Sequence, residues 1–145
     1  IALLTGRKQY SERVMFEVIE EVVDADNFVR LRNITGLTPR PREAAEKALP
    51  NSLYGVYIKQ GDNVVAMGRV VGDGVLNFDI VDIAVQPDYQ GQGLGRMIMQ
   101  HIMDYLGREA AKGAYICLMA DVPALYEKFG FKLVRPRSEG MYIVK

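Results

Sequence analysis

One cysteine, Cys117, and one histidine, His101, stand in a chain of 145 residues. A lone cysteine excludes an internal disulfide and a cysteine-rich metal site, and it fits a reducing cytoplasm. Cys117 lies in an apolar run, so the sequence predicts a buried small hydrophobe and not a nucleophile. His101 falls on a predicted helix beside an apolar stripe, which leaves Ser-His-Asp and Cys-His arrangements without a workable geometry and assigns it to the surface or to helix packing. Net charge is missing as well: 18 basic residues against 18 acidic ones argue against nucleic acid or a membrane surface as the main partner. No apolar segment approaches the ~20 residues that span a bilayer, and the N-terminal residues lack the charged start and apolar core of a signal peptide. The expectation is a soluble cytoplasmic protein without a metal.

What is present is ordinary globular material for one domain over residues 1–145, 49% hydrophobic and 25% charged. Its most informative stretch runs from Phe78 to Met97. Leu76, Phe78 and Ile80 alternate on one side, but Val81, Ile83 and Val85 continue in the opposite phase. A period of two that slips by one residue predicts a β-bulge near Ile80 to Asp82, and a bulge kinks a strand and frees backbone groups for a ligand. The loop Gln90-Gly91-Gln92-Gly93-Leu94-Gly95 follows, just before a helix. Alternate glycines there let backbone N–H groups converge on an anion at the positive end of the helix dipole. The loop is not the dinucleotide fingerprint, since Arg96 stands where the last glycine belongs, and it is not a P-loop, since no Lys-Ser/Thr follows Gly95.

Along the rest of the chain, residues 13–23 read as a first strand, and Asp24 as the cap of a helix that stops at Gly36. A proline-punctuated connection leads to a short helix from Arg42 to Leu49. Strands over Leu53–Lys59, Asn63–Val71 and Val75–Val85, joined by glycine turns, make an antiparallel meander. Leu94, Met97, Ile98, Ile102, Tyr105 and Leu106 form the stripe of a helix packed on a sheet. The run Ala114 to Ala120 is then a strand parallel to the one before that helix, and two parallel strands, the first bulged, splay into a V at their C-terminal ends. Asp121 caps a last helix that Gly130 ends, and residues 131–134 and 141–144 read as a closing strand pair.

The run Gln90-x-x-Gly93-x-Gly95 after Ile83-Ala84-Val85 resembles the acetyl-CoA signature of the GCN5-related N-acetyltransferases, the GNAT superfamily, and Tyr126 with Gly130-Phe131 resembles the same family. The resemblance implies a mixed α/β fold with a mostly antiparallel sheet of six to seven strands, a bulged and splayed parallel pair, and about four helices. It also implies direct acetyl transfer from acetyl-CoA to a primary amine. The loop Gln90, Gly91, Gln92, Gly93, Leu94, Gly95 and Arg96 would hold the pyrophosphate, and the edge Ile83, Ala84, Val85 would pair with the pantetheine amides. Asp121 joins them as a cofactor-binding residue, and an N–H near Val85 is carried over as the oxyanion donor. Arg40, Arg42 and Tyr54, near the helical pair, are acceptor-pocket candidates on the same resemblance, with surface charge and core packing as the plainer reading.

An alkyl amine of pKa near 10.4 is neutral in only about 1 molecule in 2,500 at pH 7 and must lose a proton before attack. Asp79 and Asp82 are the nearest carboxylates, their parity differing across the bulge; Asp82 is the base candidate, with a structural aspartate at the bulge and water as the alternatives. Tyr126 is the candidate acid for the leaving thiolate, a role carried by the family match. A fainter likeness to the small-amine branches, the glucosamine phosphate and serotonin-type acetyltransferases, lies in Val81 to Val85 and Gly140-Met141-Tyr142 and does not fix a substrate. The alternatives are a protein or peptide N-acetyltransferase and a CoA-binding sensor without turnover; a homodimer is compatible with either.

Overall fold

The computed structural model describes residues 8–10 and 15–145. One six-stranded sheet carries the fold, in the spatial order β1-β2-β3-β4-β5-β6, the strands being Lys8–Tyr10, Met15–Ile19, Tyr54–Gln60, Asn63–Gly72, Asn77–Val85 and Tyr115–Leu118. Every neighbouring pair is antiparallel except β5 and β6. Helices α1 (Ala25–Ile34) and α2 (Arg42–Ala48) lie between β2 and β3, α3 (Leu94–Glu109) between β5 and β6, and α4 (Pro123–Glu127) after β6. This is the expected mixed sheet with one parallel pair and four helices, and six strands is the lower end of the expected number.

Each face of the sheet has its own apolar cluster. Leu94, Ile98, Ile102 and Leu106 of α3 pack on Val56, Ile58, Val70, Phe78 and Ile80, so the stripe read from the sequence is the buried face. On the other face Phe28 and Leu31 of α1 and Ala45 of α2 pack on Val64, Met67 and Ala84. Asp24 caps α1, its carboxylate accepting from the Asn27 N–H at 3.4 Å. Gly68 lets α3 approach β4, because a Cβ there would lie 2.6 Å from Ile98 Cγ2 and 2.7 Å from Ile83 Cδ1.

The bulge is real, and it is centred on Asp82. Met67 pairs with Ala84 and Arg69 with Val81, so a single residue of β4 faces two of β5. Asp82 takes φ 60°, the only non-glycine positive φ among the described residues. The extra residue returns Ile83 and Val85 to the α3 face that Phe78 and Ile80 occupy, and it turns Asp82 to the α1 face together with Asp79. The two aspartates therefore do not divide between the faces as strand parity alone predicts.

Four other expectations are corrected. The first strand ends at Ile19 and not at Val23, because Val22 and Val23 turn into the α1 cluster: Val22 Cα would stand 2.5 Å from a Cβ on Gly55, and Val23 is buried beside Phe28. Arg13 and Val14 lie outside the described residues. Strand β5 begins at Asn77 because the Asp73 carboxylate takes the N–H groups of Val75 and Leu76. Asp121 does not cap α4; the N-cap position belongs to Val122, which makes no side-chain cap bond. Residues 131–134 and 141–144 form no strands: Leu133, Met141, Tyr142 and Ile143 are mostly exposed, so no buried face holds either segment against the sheet.

Candidate functional site

The site is built at the end of β5. Parallel pairing with β6 runs from Asn77–Tyr115 to Ile80–Leu118 and goes no further. Beyond Ile80 the bulge carries β5 away, and Ala84 and Val85 pair with β4 alone. The side of Ile83, Ala84 and Val85 that faces away from β4 is thus a free strand edge, able to accept an extended amide chain.

The glycine loop closes the same end. Gly91 and Gly93 both adopt left-handed φ, 81° and 82°, and a Cβ at either would meet nothing within 4 Å. Gly93 is the N-cap of α3, with no side chain capping the first turn. The N–H groups of Leu94, Gly95 and Arg96 therefore lack intrahelical partners and point toward the loop, the arrangement that binds phosphate. Gln90 has a role besides any ligand contact: its amide donates to the Val85 carbonyl at 3.1 Å, strapping the loop to the strand edge. Gln92 and Arg96 are exposed, and Leu94 is buried beneath the loop. A cleft of about 300 Å³ opens along Gly93, Arg96, Met97, Gln100 and His101. His101 is buried with its Nδ1 2.9 Å from the Met97 carbonyl, a helix-packing histidine as expected.

Asp82 sits below this edge, and both its oxygens are taken. Arg32 of α1 pairs with Oδ1, and Arg69 Nε of β4 donates to Oδ2 at 2.5 Å. The Asp82 side chain is 6% exposed, that of Arg32 7% and that of Arg69 15%. Asp79 is differently placed. It shares a rung with Cys117 and accepts a long 3.8 Å contact from its Sγ; burial, and then repulsion from Asp82, push its pKa up, against the opposing Cys117 contact. Cys117 itself is exposed and not buried, because the apolar run is an edge strand covered on one side only. Its thiol is pushed up by partial burial and by Asp79, which keeps it protonated.

Tyr126 lies on α4, half-buried against the α3-side cluster, its ring 6.4 Å from Phe131 in an edge-on arrangement. Burial raises its pKa, with a smaller contribution from Asp121, so the phenol is held protonated. Asp121 is exposed, and its charge adds to the rise at Tyr126. The three acceptor-pocket candidates have structural partners: Arg42 pairs with Asp26 at 2.6 Å and with Glu46, Arg40 donates to the Pro39 carbonyl at 3.5 Å, and the Tyr54 hydroxyl donates to Glu20 at 2.7 Å while its ring stacks on Tyr105. A larger cleft, about 360 Å³ and lined by Val22, Val23, Ala25, Leu49 and Pro50 with Asp24 and Glu46, lies elsewhere. Val22 abuts Gly55, which pairs with Arg69, which pairs with Val81, so that cleft stands across the sheet from the splay.

The family profile described as Acetyltransferase (GNAT) domain matches residues 51–133, from before β3 to beyond α4. The chain belongs to the GNAT acetyltransferase family. A solved structure from methicillin-resistant Staphylococcus aureus, of unknown function and called a probable acetyltransferase, is 46% identical, covers 90% of this chain and 100% of its own, and superposes with a TM-score of 0.86. An uncharacterized ycf52-like N-acetyltransferase of Prochlorococcus marinus is 30% identical over 115 residues, 77% of this chain and 64% of its own length. Serotonin N-acetyltransferase 2 of rice, a chloroplastic protein, is 29% identical over 110 residues, 73% of this chain and 55% of its own. The chain thus spans less than two thirds of the length of either of these GNAT relatives.

The splay, the loop and α4 all lie inside the matched span, while Arg32 lies outside it. Sequence reading missed the two arginines on Asp82 and the Gln90 strap. The first had a usable signal, an arginine among the apolar residues of α1, but nothing local to name its partner.

Proposed function

We propose that this GNAT domain moves an acetyl group from acetyl-CoA to the primary amine of a small molecule. One observation carries the reading: a free strand edge, two left-handed glycines and an uncapped helix N-terminus converge at the end of β5. A pyrophosphate fits the loop and first turn from Gly91 to Arg96, and the amides of the pantetheine arm fit the edge of Ile83 to Val85. The residues present suit acetyl-CoA, and the thioester it brings supplies the activated acyl group.

In the transfer, the amine lone pair forms a C–N bond to the carbonyl carbon while the C–S bond breaks. The thiolate takes a proton from the Tyr126 hydroxyl, and the amine gives its proton to Asp79 or to water; solvent exchange restores both residues. Donation from a phenol of ordinary pKa near 10 to the thiolate of a thiol near 8.5 costs about 2 kcal/mol, to which the burial of Tyr126 adds. Asp79 replaces Asp82 as the base in this reading. A base must be reached by the amine, and the Asp82 side chain is almost wholly buried between two arginines.

A small amine is favoured by the rice relative's named acceptor and by the strand sequence Val81 to Val85. Incubation with acetyl-CoA and a panel of alkyl and aryl alkyl amines, with free thiol as readout, tests the proposal. Thiol release with small amines is the expected result. Release only with peptides would move the acceptor to protein, and CoA binding without release under any acceptor would leave a sensor.

A further inference from the structure

Asp82 combines three properties that a solvent-facing catalytic carboxylate would not need. Its backbone is left-handed, its side chain is almost wholly buried, and each of its oxygens meets a different arginine. The arginines come from different elements and are anchored in turn: Arg32 Nε donates to the Thr38 carbonyl at 2.8 Å, and Arg69 Nη1 donates to Ser52 Oγ at 3.1 Å. Both guanidinium groups lie over the Phe28 ring, at 5.8 and 5.6 Å. The cluster therefore ties α1, the α1–α2 connection, β4 and the turn before β3 to the residue at which β5 kinks.

We infer that Arg32, Asp82 and Arg69 form a positioning clamp, which holds the bulge in β5 and so keeps Ile83 to Val85 turned away from β6 and open to the pantetheine arm. A left-handed aspartate is a conformation that L side chains rarely adopt, and it persists where surrounding contacts over-determine it. The two arginines are those contacts. Released from them, the bulge and the β4 pairing that follows it lose their anchor, and the edge of Ile83 to Val85 is no longer held in place. The clamp's catalytic consequence rests on the acetyl-CoA reading; its effect on the strand does not.

The test separates the two. Removing Asp82 leaves two buried cations, so the informative variant is Arg69→Gln, which leaves a one-to-one Arg32–Asp82 pair. Amide hydrogen exchange in the unliganded protein should accelerate at least tenfold at Ile83 to Val85, with less than threefold change at Val56 and Ile58 in β3. The CoA dissociation constant should rise at least fivefold, and Arg69→Lys, which can still reach Oδ2 with one donor, should recover most of the loss. If Arg69→Gln does not fold, Ser52→Ala removes only the outer hydrogen bond and should give a smaller acceleration, about two- to fivefold, at the same three amides.

Unchanged exchange at Ile83 to Val85 overturns the clamp, as does equal acceleration across the sheet, which marks general destabilisation. Loss of turnover in a folded Asp82→Asn protein with unchanged local exchange also overturns it, because Asp82 would then act on protons. Local acceleration in the variant, where the parent protein itself binds no CoA, supports the clamp and removes the acetyl-CoA reading instead.

Discussion

Adding one methyl group at Gly68 tests the packing that brings α3 onto the bulged end of β5. The Cβ of Gly68→Ala would sit 2.6 Å from Ile98 Cγ2, 2.7 Å from Ile83 Cδ1 and 3.1 Å from Ile102 Cδ1. Carbon atoms pack at about 3.5–4.0 Å, so two neighbours must each retreat by roughly 1 Å, and both are core isoleucines. Overpacking of this kind costs about 1–3 kcal/mol, while the conformational gain of alanine over glycine returns about 0.5–1 kcal/mol. The net loss is about 1–2 kcal/mol, which lowers Tm by about 2–8 °C in a chain of this size. Urea unfolding and thermal melts measure it. Gly107→Ala is the internal control: Gly107 is helical and a Cβ there meets nothing within 4 Å, so the same substitution should stabilise, by about 0.5–1 kcal/mol. Calorimetric titration with CoA then tells which isoleucine yields, since displacement of Ile83 weakens binding and displacement of Ile98 does not. A Gly68→Ala protein as stable as the parent would refute the close approach of α3 to β4.

Three further outcomes are expected. Gly93→Val should abolish CoA binding in calorimetry with the circular dichroism spectrum retained, because a β-branched residue is strained at φ 82° and its side chain enters the phosphate cradle; normal affinity in the folded variant would remove the cradle. Tyr126→Phe should lower kcat at least tenfold and leave the acetyl-CoA dissociation constant within about threefold, whereas an unchanged kcat with chemistry rate-limiting would hand protonation of the thiolate to water. For Asp79 the folded pKa lies above the ordinary 3.8, chiefly through burial, so the folded state binds the extra proton and the native protein loses stability as pH rises from about 3.8 through the raised value. Asp79→Asn should therefore be relatively more stable above that window and show no difference below it; a wild-type advantage at neutral pH in urea titrations would reverse the sign.

Local pattern carried the sequence reading where local pattern determines structure. The phase slip between Ile80 and Val81 announces the bulge, and alternate glycines after a strand announce the loop, because backbone conformation there depends on residues a few positions apart. The environment of Asp82 was not legible, since its partners are 50 and 13 residues away and reach it only after the helix and strand have docked. Exposure of Cys117 was hidden for a related reason. Tyr115, Cys117 and Met119 alternate on a face of the edge strand that no helix covers, and an apolar run does not disclose which faces are covered. Residues 141–144 show that strand-forming side chains make a strand only where a buried face holds them.

Order of assembly follows from which strand pair is parallel. The β3–β4 and β4–β5 hairpins close through short turns, whereas the Asp79–Cys117 rung joins residues 38 apart and waits for α3 to cross the sheet. Ideal-chain scaling makes that closure about 2–3 kcal/mol more costly in entropy than a two-residue turn. The three-strand meander is thus the early folding unit and the V a late one, and pulse-labelled exchange should protect Val56 and Ile58 before Leu118. Until β6 arrives, β5 remains an uncovered edge with Phe78 and Ile80 beside it, so refolding yield should depend on protein concentration more steeply than native stability does.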